Sequence, residues 1–209
     1  MSILPRFALR RAALTLALVA TPLAASAAGA EKPAAPAAPD ANAAEMQSTI
    51  KRLIGAVRYK RDSTALSTFA GAEQAEFLAG SYWAKATDAQ KTEFVSLFHQ
   101  MFASIAFPRI RQNFEKLETI LYDKPTVRGD KATLGSTIVI LHPVKKQEIV
   151  ATYDLIKKDG KWLVVDVTVK GDKSMLTNIR DEQVQKLLAK GGWDHVLELM
   201  RKRVAKAQK

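Results

Sequence analysis

Residues 149–169 read IVATYDLIKKDGKWLVVDVTV, two runs of alternating character around Lys158-Asp159-Gly160, and the way they pair decides the fold. Val, Ile, Thr, Tyr and Trp are strand formers, and Asp-Gly between two such runs is a hairpin signal. A three-residue loop with Gly160 in the left-handed bulge position places Ile149, Ala151, Tyr153, Leu155, Leu163, Val165, Val167 and Val169 on one face. The other face then carries Thr152, Asp154, Trp162 and Asp166. A two-residue Asp159-Gly160 turn would instead mix polar and apolar positions on both faces. Burying one face is what fixes register, so the bulged loop is the expected form. A face this apolar, with no catalytic constellation beside it, suits packing against helices or holding a greasy ligand.

Outward from the hairpin, residues 119–127 and 132–141 also read as strands, with Gly129-Asp130 and His142-Pro143 as turns, which gives a four-stranded antiparallel meander. The preceding half has helical spacing. Ile50, Leu53, Ile54 and Val57 form one apolar stripe, residues 72–82 predict a second helix, and Thr87-Asp88-Ala89-Gln90 is a capping box. That box opens the strongest helix, with Phe94, Leu97, Phe98, Met101, Phe102 and Ile105 on one face until Pro108 stops or kinks it. Helices at 177–188 and 193–204 flank Gly191-Gly192 in the tail. The expected fold is α+β, with helices packed on a curved four-stranded antiparallel sheet enclosing an apolar cavity.

The amino terminus reads as an address. Arg6, Arg10 and Arg11 precede an apolar run at 12–23, and Ala25-Ser26-Ala27 offers a small-residue cleavage site. The run is too short to span a bilayer, so a cleavable secretory signal peptide at 1–27 is expected, then an Ala/Pro-rich linker at 28–44 and one domain at 45–209. With no cysteine in the chain, neither disulfides nor thiolate metal sites hold it together. The 32 Lys and Arg against 21 Asp and Glu give a formal charge of +11, still basic without the signal arginines. In an exported protein this points to anionic lipid head groups or acidic protein partners rather than nucleic acid, or simply to a solvated basic surface.

Motifs for chemistry are missing. His99, His142 and His195 fall in three elements without metal-ligand spacing, and there is no nucleophile elbow, phosphate loop or dinucleotide fingerprint. Asp154 and Asp166 share a hairpin face and could serve as acid and base on a cone-like fold. The plainer reading has Asp166 accepting hydrogen bonds from a turn or from Thr152 or Arg180. The Phe and Met stripe around Met101 fits plain core, and it also fits an irregular apolar ligand.

Two stretches together carry a family resemblance. The first is Ala79-Gly80-Ser81-Tyr82-Trp83, then Ala86-Thr87, Gln90, Phe94 and Phe98. The second is Tyr153-Asp154-Leu155, Gly160-Lys161-Trp162, Val165-Asp166-Val167, Gly171 and Ser174, then Gly192-Trp193-Asp194. In order and spacing they resemble the MlaC-type (toluene-tolerance auxiliary, Ttg2-like) family of periplasmic phospholipid-binding proteins. The chain departs from the pattern at Ala79, where Leu is usual, in Gly171-Asp172-Lys173-Ser174, which is one residue longer, and in the extra Gly191. These departures bear on the pocket mouth, and a branch carrying hopanoid or other lipid stays open beside phospholipid.

The resemblance implies a non-enzymatic, monomeric carrier without cofactor, holding acyl chains inside and the head group at the mouth. It would pass lipid between an outer-membrane lipoprotein complex and an inner-membrane ABC transporter complex with a lipid-binding ring. Burial is worth roughly 0.8 kcal/mol per methylene, so two acyl chains of about 30 methylenes cost on the order of 24 kcal/mol to expose, and only a wall as apolar as the bilayer accepts them. Candidates for that wall are Leu97, Met101, Phe102, Ile105, Ile138, Ile140, Tyr153, Leu155, Val165 and Val167. Lys170, Lys173 and Arg180 are candidates for head-group contact or docking. Competing readings are an exported enzyme or small-ligand sensor using Asp154 or Asp166, and an adaptor that binds no lipid.

Overall fold

The structure, a computed structural model, describes residues 41–141 and 146–207. The expected signal peptide, most of the linker, and the His142-Pro143 turn lie outside the described residues. Helix α1 (Ala41–Arg58) starts four residues before the expected domain boundary and buries Met46, Ile50, Leu53, Ile54 and Val57, the stripe that its spacing predicts. Two short helices, α2 (Asp62–Leu66) and α3 (Gly71–Ala79), follow, and a 3₁₀ segment at Gly80–Lys85 leads to α4 (Asp88–Met101). The capping box forms as read: the Gln90 N–H donates to the Thr87 hydroxyl at 3.2 Å, and the Thr87 N–H donates to Gln90 Oε1 at 3.0 Å.

Pro108 does not end this helix. A π-turn at Phe102–Ala106 joins α4 to α5 (Phe107–Phe114), and Pro108 falls in the first turn of α5. Proline is tolerated in a first helical turn, and here the local change of pitch just before it takes up the mismatch.

The strands are β1 (Leu117–Tyr122), β2 (Thr126–Arg128), β3 (Lys131–Leu141), β4 (Lys146–Lys158) and β5 (Lys161–Val169). All pairs are antiparallel in the order β1-β3-β4-β5, with β2 also on β3, so the expected first strand is two strands. The break falls at Asp123-Lys124-Pro125, where proline offers no ladder donor and the Asp123 N–H turns back to the Gly135 carbonyl at 3.0 Å. The chain closes with α6 (Met175–Ile179), a second π-turn at Arg180–Val184 and α7 (Gln185–Ala207), which kinks at Gly191 and Gly192.

The hairpin register differs from the expected one. Lys158 pairs with Lys161 across a two-residue Asp159-Gly160 turn, both residues at positive φ (48° and 75°), as a type I′ turn requires. Lys157 then pairs with Trp162 and Leu155 with Val164, so Trp162 and Val164 face the core in place of Leu163 and Val165. The register shifts once between Asp154 and Leu155, leaving Val165 as the extra residue of a bulge. Beyond it Tyr153 pairs with Val167 and Ala151 with Val169. A bulge within the strand, not in the loop, restores one apolar face. Trp162 is 1% exposed beneath α1, its carbonyl accepting from Thr49 Oγ1 at 3.0 Å and its indole N–H donating to Asn42 Oδ1 at 3.4 Å.

The outer edge of β5 is covered. Val164 exchanges hydrogen bonds with the Thr68 carbonyl (2.8 Å) and the Ala70 N–H (2.9 Å), and Gln74 Nε2 donates to the Val165 carbonyl at 2.9 Å. Helices α1, α3 and α6 pack on β5, while α4 and α7 pack on each other as a further helical layer.

Candidate functional site

An apolar crevice opens in that helical layer. One wall is Phe94, Phe98 and Met101 from α4 with Phe102 and Ala106 from the first π-turn. Opposite stand Ile179, then Gln183 and Val184 of the second π-turn, with Leu187, Val196, Leu199 and Met200 of α7. Each π-turn carries an i→i+5 bond and so widens its helix at the point where it lines the crevice, a placement such turns often have at functional sites. The cavity volume is about 30 Å³, the space of one or two waters.

Aromatic rings stiffen the α4 wall. Phe94 and Phe98 stack at 6.3 Å, and Phe98 meets Phe102 edge-on at 4.9 Å. In the opposite wall Gln183 has its buried Oε1 without a hydrogen-bond partner among the described residues. A buried acceptor left unpaired is destabilising, and Gln183 is the polar side chain in an otherwise apolar lining.

The ten wall candidates divide between two places. Met101 and Phe102 line the crevice. Leu97 and Ile105 are buried in the core, and Ile138, Ile140, Tyr153 and Leu155 share one face of the sheet, each under a tenth exposed. Val167 shares that side through its pairing with Tyr153, and half-buried Val165 is the bulge residue. The Tyr153 hydroxyl accepts from Ser136 at 3.3 Å. Burial raises the Tyr153 pKa against the opposing effect of Ser136, and burial with the nearby Tyr153 pushes Tyr122 up to about 12, so both stay neutral.

Sequence reasoning missed the α7 half of the crevice. The signal was present in Leu187, Val196, Leu199 and Met200, apolar residues of the tail helices that the strand-centred reading passed over.

Lys170 and Lys173 are exposed on the β5–α6 connection. Arg180 is engaged, donating to Asp181 at 2.9 Å and lying 4.6 Å over the Phe77 ring. The connection itself is a built turn: Gly171 has φ of 92°, the Asp172 N–H donates to the Val169 carbonyl at 3.0 Å, and Ser174 caps α6 by accepting from the Thr177 N–H.

Neither aspartate reaches the crevice lining. Asp166 Oδ1 accepts from the Leu176 N–H (2.9 Å) and the Val167 N–H (2.8 Å), a turn-holding role as the plainer reading has it, with different partners. Asp154 accepts from Thr133 Oγ1 at 3.2 Å; partial desolvation raises its pKa, Thr133 opposes this, and the Asp166 charge adds to it. No cluster of three metal-ligating side chains occurs among the described residues. His99 packs against Gly71 and His195 against Gly191, and burial lowers the His99 pKa.

The two resemblance stretches meet in space. The Trp193 indole N–H donates to the Tyr82 carbonyl at 3.1 Å, and the Trp193 ring lies 6.2 Å from Trp83 and edge-on to Phe94 at 5.5 Å. Gln90, already part of the capping box, also donates to Asp194 at 3.1 Å. These residues lock the start of α4 to the kinked middle of α7 and so set one end of the crevice.

Fold and crevice together define an α+β protein in which one antiparallel sheet backs a helical layer with an apolar cleft. The family described as MlaC protein matches residues 42–202, and the chain belongs to that family. No curated protein matches the chain in sequence. Among solved structures, the phospholipid-binding protein from Ralstonia solanacearum in complex with a phospholipid, at 1.53 Å resolution, is similar with a TM-score of 0.65 and 14% identity, covering 79% of this chain and 98% of that one. A substituted form of a protein of unknown function from Mycobacterium tuberculosis has a TM-score of 0.32 at 12% identity, covering 79% of this chain and 88% of its own. At these identities the Ralstonia protein has the same fold. No helix among the described residues is long and apolar enough to cross a membrane.

Proposed function

We propose that this protein is a periplasmic carrier that takes phospholipid acyl chains into the crevice between α4–α5 and α6–α7 and moves lipid between outer- and inner-membrane transport complexes. The observation that carries this reading is a crevice whose lining is apolar but for Gln183, in a chain of the MlaC family. The phospholipid bound to the Ralstonia protein of the same fold supports it. Binding without catalysis fits the placement of Asp154 and Asp166 away from the crevice.

A cavity of about 30 Å³ holds no acyl chain, so loading requires the two walls to part. A π-turn lies in each of the walls that must part, a position such turns often take at functional sites. Met101, Phe102, Leu97 and Ile105 would then line the opened space, with Ile138, Ile140, Tyr153, Leu155, Val165 and Val167 as its floor. Transfer from bilayer to such a wall is nearly neutral in free energy, so direction comes from the partner complexes. Lys170 and Lys173, both exposed, are the candidates for contact with a head-group phosphate or for docking.

The test is transfer of labelled phospholipid between donor and acceptor liposomes. Acceleration in proportion to protein concentration is expected; a folded protein that leaves the rate unchanged refutes the carrier reading.

A further inference from the structure

The end of α1 carries a feature that the lipid crevice does not use. The Arg61 N–H donates to the Ala56 carbonyl at 2.8 Å and the Lys60 N–H to the Val57 carbonyl at 3.3 Å, which is the double bond pattern of a Schellman cap. The residue that turns the chain there is usually glycine, but here Lys60 takes it at φ of 58°. Strained non-glycine residues of this kind collect where function demands the side chain.

What Lys60 joins is a ring of cations about exposed apolar groups. Tyr59 is 63% exposed, with the Arg58 and Arg61 guanidinium groups 5.4 and 6.0 Å from its ring centre. Arg58 is fixed in turn by donating to the Glu115 carbonyl at 3.0 Å, which brings the start of β1 alongside. There the Lys116 carbonyl accepts from the Leu141 N–H at 3.0 Å, and Leu141 is 47% exposed. Of the nearby acids, Asp62 pairs with Arg111 at 2.7 Å and Glu148 with Lys146 at 3.2 Å, while exposed Glu115 and Glu118 stand against the four cations. Lys60, Arg61 and Lys116 form no ion pair among the described residues.

We propose that this end of the molecule, with Tyr59 and Leu141 ringed by Arg58, Lys60, Arg61 and Lys116, docks on the surface of bilayers containing anionic phospholipid. An amphipathic aromatic ring at head-group depth and basic side chains around it are what such a surface selects, and the excess of basic over acidic residues, which persists without the signal arginines, draws the protein there. An acidic protein patch would match the cations but would have less use for the exposed Tyr59 and Leu141. Three open cations correspond to roughly a hundredfold in partitioning, reversed by salt. The inference goes beyond the carrier reading and stands or falls separately from it.

The test is co-sedimentation of the whole protein with phosphatidylcholine vesicles, with and without phosphatidylglycerol. Binding that needs phosphatidylglycerol and falls with salt is expected. Combining Lys60→Gly, Arg61→Ser and Lys116→Ser should lower it about a hundredfold, and removing the same charge through Lys161→Ser, Lys190→Ser and Lys206→Ser should lower it far less. Lys60→Gly alone should raise the melting temperature while weakening binding, a combination that a purely structural lysine would not give. Equal losses in both triple variants, or a wild type that ignores the vesicles and binds only acidic proteins, overturn the proposal. Lipid bound per protein, measured on the same samples, keeps a failure of docking distinct from a failure of the carrier reading.

Discussion

Trp193 donates its indole N–H to the backbone carbonyl of Tyr82 at 3.1 Å, tying the last helix to a 3₁₀ turn 111 residues earlier in the chain. Trp193 is 7% exposed and also abuts Trp83 and Phe94. Trp193→Phe should cost about 1 kcal/mol for the lost hydrogen bond, and Trp193→Ala about 3–5 kcal/mol for the lost packing. Urea unfolding measures both; equal small losses would mean that the ring is not held as described.

His99 gives the protein an acid sensitivity. Burial lowers its pKa, so the folded state binds the proton less readily than the unfolded chain. The contribution is therefore intact above the ordinary histidine value of about 6.5 and is lost as pH falls below it towards the lower folded pKa. The melting temperature should drop between neutral pH and pH about 5, and His99→Gln should flatten that part of the curve. A Cβ at Gly71 would lie 2.8 Å from the His99 ring, so Gly71→Ala should destabilise by about 1–3 kcal/mol and be rescued in part by His99→Ala.

Much of this fold was legible because the deciding signals are local. The Thr87–Gln90 capping box and the stripe through Ile50 and Val57 appear where the spacing puts them. The hairpin register was not, because one bulged residue at Val165 reverses which of Trp162 and Leu163 faces inward, and nothing in the strand composition marks that position. Nor was the crevice, since the π-turns that shape it change helical pitch by tertiary packing alone. Of the expected wall, Met101 and Phe102 line it and the sheet residues lie in the adjoining core.

Asp166 holds the start of α6. Asp166→Ala strands the Leu176 N–H, which that carboxylate satisfies at 2.9 Å, at a cost of about 1–3 kcal/mol. Asp166→Asn keeps an oxygen there and should cost less. Lipid content of the folded variants should be unchanged; its loss in both would return Asp166 to the binding site.

Ala106 sits in the first π-turn and lines the crevice. Ala106→Trp should fill a space of about 30 Å³ and block the walls from parting around lipid, lowering uptake from liposomes at least tenfold with the fold retained by circular dichroism. Gln183→Leu removes the unpaired buried oxygen and should stabilise the protein by about 1 kcal/mol without lowering uptake.

The most direct measurement is native mass spectrometry of the protein taken from the cells that make it, with extraction and identification of whatever it carries. The carrier account predicts about one phospholipid per protein in the wild type and little or none in Ala106→Trp. Protein that emerges empty, and that takes up no lipid when incubated with liposomes, would contradict it.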